Sequence, residues 1–188
     1  MNIPSNTSTT DLSVSGNQTL VPNSTYRNVS VSGNGTTLTL TAPGTYNFNC
    51  LSVAVHSNLT ISPSNKAVTI NITGGGGCTP IDFASQATVT NSSGVAANIQ
   101  FNYPGTGQIN MVGGPSAYAV INAPYASVKM NGGSDFYGTI MAKSLDDSGG
   151  VNLHFDAADT TISGTTAATA TATATGSYNT LAFRSVPY

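Results

Sequence analysis

The stretch from Asn122 to Ser144, NAPYASVKMNGGSDFYGTIMAKS, decides how the chain is read. Two short alternating runs, Val128–Met130 and Gly138–Met141, flank Gly132-Gly133. They can be the arms of a hairpin, or successive edges of a unit that repeats. Sliding the stretch along the chain separates the two. Val128-Lys129-Met130-Asn131-Gly132-Gly133 matches Ile109-Asn110-Met111-Val112-Gly113-Gly114, 19 residues earlier, and Leu145-Asp146-Asp147-Ser148-Gly149-Gly150, 17 residues later. A second edge repeats beside it: Tyr118-Ala119-Val120-Ile121 corresponds to Tyr137-Gly138-Thr139-Ile140. Near the start, Leu12-Ser13-Val14 returns as Val29-Ser30-Val31 and again as Leu51-Ser52-Val53. Val68–Ile72 and Ala87–Asn91 keep a similar cadence between the two blocks.

A period of about 17 to 22 residues fits one turn of a β-solenoid built from short strands. Alternation within each strand turns Val128 and Met130 inward and Lys129 outward. Gly-Gly, Gly-Asn, Pro-Gly and Ser-Asn pairs sit at the corners, where tight or left-handed backbone is needed. The fold predicted is all-β, a parallel β-helix (β-solenoid) of about seven or eight coils over residues 11–160. The competing architecture is an antiparallel β-sandwich or jelly roll, which also has short strands and frequent turns. A sandwich has no reason to repeat one edge every 17–19 residues. Residues 1–10 read as a polar lead-in. In 161–188, the strict Ala/Thr alternation of 168–175 suggests a strand packed along the solenoid, or a linker, ahead of a C-terminal cap.

Composition agrees with strands and limits function. Charged residues are 6% of the chain and glutamate is absent, so long helices with a wet charged face are not expected. The five basic residues are dispersed, which excludes the clustered basic face that nucleic acid requires. No apolar run approaches the roughly 20 residues of a membrane helix, so no membrane insertion is expected. Met1-Asn2-Ile3-Pro4 lacks the regions of a signal peptide. The chain is then either cytosolic or a fragment opened by Met1, and its Ser/Thr/Asn-rich, charge-poor composition favours an extracellular fragment.

Cys50 and Cys78 either form a disulfide, closing a loop of about 27 residues worth roughly 3–4 kcal/mol, or are two independent small core residues. Neither zinc-finger spacing nor CxxC is present, and no metal or cofactor is expected. Parallel β-helices often carry polysaccharide-cleaving sites, which need paired carboxylates. Of the seven aspartates, Asp146 and Asp147 are adjacent, but neighbouring strand residues face opposite ways. Asp135 or Asp156 would have to supply a partner, and the basic residues around such sites are too sparse. His154 and Asp156 fall on one face by alternation and could pair, although a surface imidazole is the plainer reading. His56 is alone in its strand, and Gly74–Gly77 lacks the Lys-Ser/Thr of a phosphate loop. Thr37-x-Thr39-x-Thr41 and Thr88-x-Thr90 raise ice binding; aligned with Ser13/Ser15, Ser30/Ser32, Asn110 and Lys129, however, the array is interrupted. Tyr103, Tyr118, Tyr125 and Tyr137 cluster in sequence and could line a shallow glycan-binding face.

Several blocks resemble a family of uncharacterised bacterial domains. They are Pro43-Gly44-Thr45-Tyr46-Asn47-Phe48, Ala119–Pro124 with Ser127–Gly132, Phe136–Ala142, and the closing His154-Phe155-Asp156. The closing motif carries Phe where that family would have Tyr. The resemblance spans roughly residues 25 to 160 and implies a right-handed parallel β-helix in extracellular, cell-surface or pilus-associated proteins. It implies no catalytic residue. The function expected is a non-enzymatic structural or adhesive module on a bacterial cell surface. Its expected partners are itself, stacked head to tail or in a filament, or other surface proteins. A glycan- or surface-binding module is the second reading, and a polysaccharide-cleaving enzyme the last.

Overall fold

A repeat of similar but non-identical edges can only bury its apolar side by stacking like on like. The computed structural model, which describes residues 1–63, 65–112, 117–133 and 135–155, has this arrangement. Every strand pairing among the described residues is parallel. The fold is a β-solenoid, and the antiparallel sandwich is set aside by that pairing alone.

The chain winds past three faces. The first holds Leu12–Val14, Ile81–Phe83, Ile109–Val112 and the C-terminal halves of Thr25–Val31, Gly44–Val53, Ala117–Asn131 and Asp135–Asp147. The second holds Gln18–Leu20, Thr37–Thr41, Asn58–Ser62 and Thr88–Thr90. The third holds Val68–Ile72, Ile99–Asn102, Asn152–His154 and the N-terminal halves of the long strands. The long strands bend from third face to first, with a register shift between Ala123 and Ser127 in one of them. Between Asn131 and Asp135 the chain turns directly from first face to third, and Gly132 (φ 89°) takes the left-handed corner.

The register bears out the repeats. Ile109, Val128 and Leu145 stack, as do Tyr118 and Tyr137, and so do Leu12, Val29 and Leu51. The number of coils is smaller than the sequence suggested: seven visits to the first face enclose about six turns, not seven or eight. One column shows why. Val14, Val31, Val53, Phe83, Met111 and Met130, all buried, and then the exposed Asp147 are successive rungs. Their steps are 17, 22, 30, 28, 19 and 17 residues, so the middle turns are longer than the period read from the ends. Ala87–Asn91 and Val68–Ile72, alike in cadence, lie on different faces. The 168–175 alternation and the rest of 161–188, with Asp156 and Asp159, lie outside the described residues. Residues 1–10 have no regular secondary structure, but Asn6 Nδ2 donates to Tyr26 O at 2.6 Å.

The core is one column of side chains running along the axis. Leu38, Leu40 and Leu59 from the second face meet Val31, Val53, Ile70, Ile99 and Val128 from the others, all without solvent exposure. Each such side chain contributes about 1.5–3 kcal/mol on burial. Tyr46, also fully buried, donates its hydroxyl to Thr41 O at 2.7 Å and so braces the corner between second and third faces. Burial pushes its phenol above the ordinary range.

Of the two readings open for the cysteines, the structure has the bridge: Cys50 and Cys78, 28 residues apart, are bonded. They tie the strand Gly44–Val53 to the loop that enters Ile81–Phe83, one turn on. Replacing both with Ser is expected to lower unfolding stability by roughly 3–4 kcal/mol, read from urea denaturation. Gly138 is a second sensitive point. Its φ is +140° and an added Cβ would fall 2.0 Å from Ala119 O in the neighbouring rung. Gly138→Ala should cost about 2–4 kcal/mol in the same assay, whereas Gly133, whose added Cβ would meet nothing, should tolerate Ala.

Candidate functional site

Chemistry-bearing side chains come together on the third face near the C-terminal end. The register Tyr118, Tyr137, His154 puts three flat rings on consecutive rungs. Neighbouring strands lie about 4.8 Å apart, which is close to the thickness at which aromatic rings stack. Tyr118 and Tyr137 have centroids 4.5 Å apart and planes 10° off parallel. Tyr137 and His154 are 4.3 Å apart and 11° off parallel. Beside the last ring, His154 Nε2 lies 2.9 Å from Asp135 Oδ1. That hydrogen bond, then one from the Asn152 side chain, holds the Asp135 carboxyl below the ordinary carboxylate range. Partial burial pushes the Tyr137 phenol up, helped by the Asp135 charge and by Tyr118.

The four tyrosines do not form one surface. Tyr118 and Tyr137 share the ring column. Tyr125 is 54% exposed but sits at the bend between third and first faces. Tyr103 leaves the set: it is only 5% exposed, and its ring packs against Gly74, Gly105 and Gly107 while its hydroxyl accepts from Gly107 N at 3.0 Å. Stacking also changes what the column can do. Each ring covers its neighbour's face, so the inner rungs offer edges and hydroxyls to a ligand but no open π surface.

Most of the described aspartates have a partner of their own. Asp11 pairs with Arg27 through two side-chain contacts, the nearer at 2.5 Å, and this holds its carboxyl low. Asp82 accepts from Asn110 Nδ2 at 3.2 Å on the first face. Asp147 Oδ1 accepts from Val151 N at 3.0 Å and closes the turn that follows it, while Asp146 lies opposite Lys129 in register. Among the described residues no group of three or more His, Cys, Asp or Glu is close enough to hold a metal ion. The partner of His154 proves to be Asp135, 19 residues away and one rung below. Alternation along a single strand could not reveal it; aligning Asp135 with Asn152 in the repeat would have.

A family model described as a domain of unknown function (DUF7305) matches residues 6–162. The chain belongs to that family. The match spans the whole described solenoid of this DUF7305 domain, the ring column and the bridge included. No curated protein and no solved structure matches the chain.

Because Asp135 is held low when folded, its share of stability is present above the unfolded carboxylate value and is lost as pH falls through the folded one. Carboxyl carbon NMR should place its midpoint below the ordinary 3.8, and His154→Ala should return it toward 3.8. A midpoint unmoved by that substitution would refute the pairing as the cause.

Proposed function

We propose that this domain is a non-enzymatic structural or adhesive module of a bacterial cell-surface or pilus-associated protein, and that copies associate end to end. The observation that carries the reading is the unbroken axial core, stapled by a disulfide that suits an oxidising, extracellular setting. Each turn rests on the next through parallel backbone pairing, which favours a stiff rod. The low charge and Ser/Thr/Asn-rich surface support an extracellular place, as does the resemblance noted above. No helix among the described residues is long and apolar enough to cross a membrane.

The C-terminal end of the described solenoid supports association. Phe136, Ile140, Leu145, Leu153 and Phe155 line an apolar depression there, with Leu145 41% and Phe155 55% exposed. Strand edges at the end of a solenoid are templates for further pairing. Analytical ultracentrifugation of the 188-residue chain should show species larger than the monomer that grow with concentration. Leu145→Asp and Phe155→Asp should each shift the population to monomer without changing the melting temperature. A chain that stays monomeric throughout overturns end-to-end association, and the structural role would then rest on stiffness alone.

A further inference from the structure

The second face carries a feature that the structural role does not use. Four strands run there in parallel through three interfaces without a register shift. Two uncharged columns, each four residues long, run through their outward positions, beside a shorter pair, Thr41 and Ser62. One is Asn17, Thr37, Asn58 and Thr88; the other is Thr19, Thr39, Thr60 and Thr90. The serines, Asn110 and Lys129 that interrupt the array in a linear alignment belong to the first face, so the interruption is removed by the fold. Rungs recur about every 4.8 Å, and residues two apart on a strand about every 6.6 Å, giving a rectangular grid.

The first column is locked by its own hydrogen bonds. Asn17 Oδ1 accepts from Thr37 N at 3.0 Å, Asn58 Nδ2 donates to Thr37 Oγ1 at 3.2 Å, and Thr88 Oγ1 donates to Asn58 Oδ1. The second column is left more open. Thr60 donates to Thr90 O at 3.3 Å, while among the described residues the hydroxyls of Thr19 and Thr39 have no protein partner. The result is a rigid rail beside a row of hydroxyls and methyls directed at solvent.

We propose that this face binds ice. A crystalline water surface repeats in two directions on the scale of this grid and carries no charge. Hydroxyls at fixed repeats can enter its hydrogen-bond network, and the threonine methyls beside them lie against water without competing for it. A charged side chain would hold its own hydration shell and break the match; the two columns contain none. Because the rail fixes the geometry in advance, little freedom is lost on binding. A polysaccharide is the less favoured occupant, because the face has no aromatic ring on which a sugar could rest. The reading is independent of end-to-end association.

The test uses the 188-residue chain in an ice recrystallisation assay, with partition into a growing ice front as the direct measure of binding. The wild type should slow recrystallisation and enrich in the ice. Thr39→Lys and Thr60→Lys should each abolish both effects with the far-ultraviolet circular dichroism and melting temperature unchanged. Thr39→Ser, which keeps the hydroxyl, should retain partial activity, and Ser30→Lys on the first face should retain all of it. A folded wild type excluded from ice overturns the proposal. So does activity that survives both lysine substitutions, or retention on insoluble cellulose or chitin in place of ice.

Discussion

Everything in this molecule depends on one constraint: each turn must place its inward side chains directly over those of the turn before. Parallel pairing at a fixed spacing allows no slippage, because a shift of one residue would turn every apolar side chain outward. The Val14-to-Met130 column shows how strictly the constraint is met. Its rungs change from Val to Phe to Met, yet each stays on the axis despite turns of 17 to 30 residues. Length varies in the corners and loops, and the last described turn is short because it passes from first face to third without a second-face strand.

The same constraint arranges the outer surface. Residues brought onto one column are neighbours about 4.8 Å apart whatever their separation in sequence, so like residues form ladders. Beneath that surface, on the third face, Asn47 and the buried Asn71, Asn102 and Asn122 bond amide to amide at 3.0 to 3.3 Å. The rings of Tyr118, Tyr137 and His154 stack on that face, and the threonines of the second face align. A stack that orders polar or aromatic groups so closely consumes some of their capacity to bind anything else. That is why the ring column, crowded face to face, is a weaker place for a ligand than the open row of threonines.

Much of this was legible in the sequence wherever a rung repeats with its neighbours intact. Ile109, Val128 and Leu145 could be aligned by eye because each begins a block ending in Gly-Gly, and their stacking follows directly. The alternation of Val128, Lys129 and Met130 gave their orientation correctly. Legibility failed where an alignment crossed between faces. Ser13 and Thr37 look interchangeable as outward polar residues, but they lie on different faces, and the second-face counterpart in Ser13's own turn is Gln18–Leu20. The His154–Asp135 pair was hidden for a related reason, since its members share no strand and meet only after a full turn. Tyr103 misled because its burial is set by three glycines, two of them just beyond it and one in a distant loop, and not by its own strand's pattern.

The bridge between Cys50 and Cys78 also has a mechanical meaning. Pulling on the two ends of a solenoid loads the bonds between turns along their length, and the chain pays out as turns peel away. A covalent link from one turn to the next removes its loop from that process. With the linked positions 28 residues apart, the extension withheld is roughly 90–100 Å of contour. Under load the oxidised rod would therefore yield from its ends and stop at the staple, so its reach under tension is set by redox state as well as by chain length.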